Sequence, residues 1–154
     1  MKRFEFRMER VRKWREDQAE LEEMRLQQLY AQLRGLEDEE REVAASAERF
    51  HRGVLAQESV TAEELGALEA YQDYTKHEIR RLQAKQKEVK AQVEKQRQRL
   101  LEAHRRVQLL DCLREKALVA WTAARDKEQE ELGAELFLGN LTRKAGAVKS
   151  REED

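Results

Sequence analysis

The sequence predicts an all-α protein, two long helices folded into an antiparallel coiled-coil hairpin. Three observations predict it. The 154 residues include no proline, one isoleucine and nine valines, while leucine, alanine, glutamate, glutamine and the basic residues dominate; these are strong helix formers. Apolar residues recur with alternating spacings of three and four along two long stretches, the seam pattern of a left-handed coiled coil. Between the two stretches stands one helix-start signal. The same counts exclude a β-sandwich or an α/β enzyme, which need β-branched runs and Gly/Pro-rich turns. A 41% charged chain with 19 alanines among its apolar residues also builds only a thin core.

Helix one is expected over about residues 3–57. Its seam runs Leu26, Leu29, Leu33, Leu36, Glu40, Val43, Ala47, Phe50 and Val54. Before Leu26 the phase is looser: Phe4, Met8 and Val11 begin a stripe that Arg15 and Glu22 interrupt. Gly53 is a place where this helix can loosen.

The turn is expected at 58–61. Thr61-Ala62-Glu63-Glu64 reads as a capping box, in which the Thr61 hydroxyl and the Glu64 carboxylate satisfy free amides reciprocally. Val60 and Leu65 occupy the two staple positions.

Helix two is expected from 62 to about 138. Its seam keeps one register from Leu65 through Leu68, Gln72, Thr75, Ile79, Leu82, Gln86, Val89, Val93, Gln96, Leu100, Ala103, Val107, Leu110, Arg114, Ala117 and Trp121 to Ala124. Thirteen of those eighteen positions are apolar, too many to keep phase by chance. Gly139-Asn140 reads as a stop. The hairpin is thus assigned to 1–141, and the polar segment 142–154 is expected to be a disordered tail.

A short turn makes the helices antiparallel neighbours. Folding about residue 59 places Leu26 near residue 92 and Phe4 near residue 114. The basic block at 80–106 then faces an acidic block at 12–38 that includes Glu16, Asp17, Glu20, Glu22 and Glu23. Everything beyond about residue 114 has no partner in helix one on this register, although it carries Leu118, Trp121, Leu132, Leu136, Phe137 and Leu138. Exposed apolar surface of that kind marks a binding site.

No catalytic constellation is legible, and no cofactor or metal site. There is no Gly-rich phosphate loop, and His51, His77 and His104 do not share a helix face as metal ligands do. The single cysteine, Cys112, is expected to be buried or at the seam edge and fits a reducing compartment. No stretch approaches the roughly 20 apolar residues of a membrane span, and the first residues lack a signal peptide's apolar core, so a cytoplasmic protein is expected. The basic block is read as the counterpart of the acidic one rather than as a nucleic-acid surface.

Two regions invite a functional account. Residues 2–15 hold seven cations, including Arg7, Arg10 and Lys13, against Glu5 and Glu9. Cations at a helix start oppose the macrodipole at a few tenths of a kcal/mol each, so an acidic partner surface is expected there. Near the turn, Phe50, Tyr71 and Tyr74 form an aromatic group, with Phe50 placed beside residue 68 and at least one tyrosine facing outward.

The opening Lys2-Arg3-Phe4-Glu5-Phe6-Arg7-Met8-Glu9-Arg10-Val11, the post-turn Leu65-Gly66-Ala67-Leu68-Glu69-Ala70-Tyr71-Gln72-Asp73-Tyr74, and the late Leu110-Asp111-Cys112-Leu113-Arg114-Glu115-Lys116-Ala117 followed by Trp121 and Leu132 resemble the FliJ family, the stalk proteins of flagellar type III export. The resemblance spans nearly the whole chain; after Leu132 the family often has acidic residues where this chain has Gly133-Ala134. It implies a non-catalytic antiparallel coiled coil akin to a rotary-ATPase central stalk. The paired termini would insert into a hexameric export ATPase through Arg7, Arg10, Lys13, Trp121, Leu132 and Leu136. The opposite end, with Phe50, Tyr71 and Tyr74, would contact the cytoplasmic domain of the export gate. The resemblance further implies a role in recycling export chaperones, a place at the inner face of the cell membrane without insertion, and no nucleic-acid partner. The stalk of an injectisome or of a vacuolar-type ATPase, and a purely structural coiled-coil scaffold, are the alternatives.

Overall fold

The computed structural model describes residues 3–152, with side chains through Arg143. The protein is all-α. Helix α1 spans Glu9–Leu55, 47 residues, and helix α2 spans Ala62–Glu152, 91 residues. The described residues contain no strand and no helix long and apolar enough to cross a membrane. Two compact units are formed, residues 16–105 and the two chain ends, up to Arg15 and from Arg106.

α1 begins six residues later than the expected residue 3. Residues 3–6 are non-helical, and the Glu9 amide donates to the Phe6 carbonyl at 3.1 Å. The basic residues before Glu9 disfavour a helix start, whereas Glu9 places a carboxylate in the first turn, where the dipole favours one. α1 passes through Gly53 without loosening and ends at Leu55, where Ala56 donates to the Arg52 carbonyl at 3.0 Å.

α2 begins at Ala62 on a closed capping box. The Thr61 amide donates to the Glu64 carboxylate at 2.8 Å, and the Glu64 amide donates to Thr61 Oγ1 at 3.2 Å. The Thr61 amide, and its hydroxyl at 3.0 Å, donate to the Glu64 carboxylate and hold its carboxyl below the ordinary value of 4.5. The expected stop at Gly139-Asn140 does not occur, and α2 continues to Glu152. A glycine ends a helix by adopting a left-handed conformation, and no described glycine has a positive φ. With no proline beyond it, Gly139 costs only about 1 kcal/mol of helix propensity. The segment from 142 to 152, expected to be a disordered tail, is therefore helical; residues 153 and 154 lie outside the described residues.

In the unit 16–105 the two seams face each other. Ala19, Val54, Leu68, Leu82 and Val93 are buried, Leu82 almost completely. Leu26, Leu29, Leu33, Leu36 and Val43 are half-buried opposite them. Glu22 does not interrupt this seam: it occupies the position in phase with Ala19 and Leu26, where the buried Gln96 donates to its carboxylate and, at 3.0 Å, to its carbonyl. A second polar layer sits at Glu40, which accepts from Gln83 at 2.8 Å and from the buried Gln86 at 2.6 Å. Both polar layers are thus amide–carboxylate bonds between the helices. The buried Thr75 hydroxyl donates to the Tyr71 carbonyl in its own helix at 2.8 Å.

The pairing is shifted from the expected one by about a turn at several places. Phe50 meets Tyr71 rather than residue 68, and Glu9 meets Arg114 rather than residue 109. The link spans 56–61, and Leu65 in the first turn of α2 stays half exposed.

Two predictions follow from these contacts. Thr61→Ala should cost about 1 kcal/mol, read as a lower urea midpoint with an unchanged denaturant slope. The Gln83 and Gln86 amides, with a smaller pull from Lys90, hold the Glu40 carboxyl below 4.5. A lowered folded pKa gives stability that is complete above about pH 4.5 and is lost as the pH falls through the folded value. Acid titration of Glu40→Gln should therefore show a shallower loss of helicity below pH 4.5 than the parent.

Candidate functional site

The chain ends form the first candidate surface. Residues 3–6 precede α1 without helical structure, and the pairing here is shifted along α2 in the same sense as at Glu9 and Arg114. Phe4 lies against Trp121, ring centroids 5.9 Å apart and tilted by 59°, not near residue 114. The Arg125 guanidinium sits 5.4 Å from the same indole. Trp121 is thus half-buried within this unit. This corrects the expectation that it lacks a partner in the chain; among the described residues the continuously exposed stretch begins after Arg125 rather than after residue 114.

From Asp126 to Arg143 every residue is exposed. This stretch is about 27 Å of helix. Leu132 and Leu136 lie in it, together with Phe137, Leu138 and Leu141. Leu136, Phe137 and Leu138 are consecutive and each is 60–70% exposed. Successive helical residues point about 100° apart, so these three cover three different faces.

The N-terminal cations divide by what they face. Arg12 is held by Asp111 at 2.6 Å and by Glu9 at 3.2 Å. Arg114 approaches Glu9 at 3.4 Å. Arg15 lies 4.6 Å over the ring of Trp14. Arg7 and Arg10 line an open concavity with Arg3, Phe4, Phe6 and Arg114, while Lys13 is exposed on α1 outside it. Sequence reading passed over Trp14, which is half exposed; its signal is an aromatic residue out of phase with the seam. Arg3, one of the N-terminal cations, and Arg114, a seam position, also enter that lining although they are far apart in the chain. Cys112 is exposed, not buried, because it follows the buried Leu110 by two residues and so points away from the seam.

The second surface is near the link, in the other unit. Phe50 packs on Tyr71 at 4.8 Å, and Tyr71 stacks on Tyr74 at 6.4 Å. Tyr71 is half-buried, Phe50 is 41% exposed and Tyr74 61%. Beside them the Gln72 amide lies 3.1 Å from His51 Nδ1. Among the described residues no three of His, Cys, Asp or Glu gather as a metal site would require.

No protein-family model, curated protein or solved structure matches this chain.

Proposed function

We propose that the chain is a non-catalytic stalk of the flagellar type III export apparatus, whose terminal end enters a hexameric export ATPase. The observation that carries this reading is the exposed helix beyond Arg125, apolar on three faces at Leu136, Phe137 and Leu138. A single partner helix covers one stripe of about 100°. A ring closes around all faces at once, and burying each large side chain there is favourable by about 1.5–3 kcal/mol. Leu132 belongs to the same contact. Arg7, Arg10 and Lys13 face acidic groups of the ring; Trp121 acts through Phe4, by holding the segment that carries the arginines.

The aromatic group Phe50, Tyr71 and Tyr74 docks the cytoplasmic domain of the export gate, since exposed aromatic residues in mutual contact are characteristic binding anchors. On this reading the protein works at the inner face of the cell membrane, recycles export chaperones and carries no catalytic group of its own. A stalk with these features also suits an injectisome, and neighbouring genes distinguish the two.

The test is ATP hydrolysis by the purified export ATPase. The full chain should stimulate it severalfold, and the combined Leu136→Gln, Phe137→Gln, Leu138→Gln variant should lose that stimulation while keeping its helicity. Undiminished stimulation by the variant removes the apolar segment from the mechanism, and no stimulation by the parent removes the stalk reading. Phe50→Ala, Tyr71→Ala and Tyr74→Ala together should abolish binding to the gate domain and leave ATPase stimulation intact.

A further inference from the structure

We infer that the concavity at the start of the chain is a binding site for an acidic peptide segment carrying an apolar residue among its carboxylates. Its volume is about 700 Å³. Arg3, Arg7 and Arg10 line it, and among the described residues none of the three makes an ion pair or hydrogen bond. Arg114 lines it too, shared with Glu9. Of the two carboxylates in the lining, Glu9 is already engaged by Arg12 and Arg114, which leaves Glu5 against three uncommitted guanidinium groups. The local charge is therefore positive and uncompensated, next to a helix start that disfavours cations. An anionic ligand relieves both.

The lining narrows the ligand further. All four cations are arginines, whose planar forks pair with carboxylates and phosphates in bidentate fashion, as lysine does not. The volume lies in the range of sites that enclose drug-sized molecules, about 300–1,000 Å³, so an inorganic phosphate would leave most of it unfilled. Phe4 and Phe6, both half-buried, give the lining an apolar component that a phosphate cannot use and a peptide side chain can. The segment is also held in place before any ligand arrives, because Phe4 is fixed on Trp121. A preformed site loses less entropy on binding.

This inference deepens the stalk reading and rests on it for the source of the segment, a ring subunit's inner wall; the ligand class rests on the concavity alone. The experiment is fluorescence anisotropy of a labelled twelve-residue peptide of aspartate and glutamate with one central leucine, titrated with the full-length protein. Saturable binding is expected, weakened at least tenfold in the combined Arg3→Ala, Arg7→Ala, Arg10→Ala variant at unchanged helicity. A partial loss is expected in the corresponding lysine variant, which keeps the charge and removes the fork. The Leu136→Gln, Phe137→Gln, Leu138→Gln variant should bind the peptide as the parent does. Equal binding by the triple alanine variant overturns the inference. So does binding of tripolyphosphate, or of vesicles of anionic phospholipid, by a protein that leaves the peptide free. If the peptide binds as expected and the triple alanine variant still stimulates the ATPase fully, the site stands and its use within the ring falls.

Discussion

An antiparallel helix pair buries only as much of its longer member as the shorter one covers. Here one helix has 91 residues and the other 47. That inequality governs what surface the protein presents. Where both helices are present, seam positions of α2 such as Leu68, Leu82, Val93 and Leu110 are buried, while Leu101, Leu109 and Leu113, off the seam, stay exposed. Beyond Arg125 the helix continues with the same kind of side chain, and every described residue through Arg143 is exposed. An isolated helix draws most of its stability from packing, so an exposed extension rich in leucine is expensive unless a partner completes it.

The seam that does form is thin, and its polar layers supply what a leucine-only seam lacks. A run of similar apolar residues fits its partner almost equally well after a slip of one heptad. Glu22 with Gln96 and Glu40 with Gln86 break that equivalence. A slip of one heptad would set Glu22 against Val89 or Ala103 and Glu40 against Ile79 or Val93, none of which can donate to a carboxylate. The glutamines suit the position because an amide donates to a carboxylate without burying a second charge.

The fold class was legible because it depends on local chemistry: helix formers, a sustained 3–4 spacing and the box at Thr61 and Glu64. The errors arose where one residue's identity was allowed to outweigh its position. Glu22 was read as a break because it is charged, although its phase is that of the seam. Gly139 was read as a stop because glycine often is one, although only its backbone conformation decides. A fold centred on residue 59 leaves Trp121 unpartnered, whereas the pairing at the chain ends is shifted by more than a turn, so that Glu9 meets Arg114 and Phe4 meets Trp121. The concavity was not legible at all. It joins Arg3, Arg7 and Arg10 to Arg114, and no local pattern relates residues a hundred positions apart.

The two kinds of contact surface at the chain ends differ in what they contribute. Apolar burial is non-directional and scales with area, so Leu136, Phe137 and Leu138 supply affinity without preferring one rotational setting inside an enclosing wall. Arginine forks are directional, and charge complementarity acts more on orientation and encounter than on raw affinity. A single stalk facing six equivalent subunits needs both properties in separate places. On the stalk reading, the segment that is apolar at Leu136, Phe137 and Leu138 holds it within the ring, and the cluster at Arg3, Arg7 and Arg10 engages one subunit differently from the others. A stalk without catalytic groups acts on its ring only through such differential binding. On the stalk reading, the arginines therefore choose which subunit is favoured, and the leucines keep the stalk in place while that choice changes.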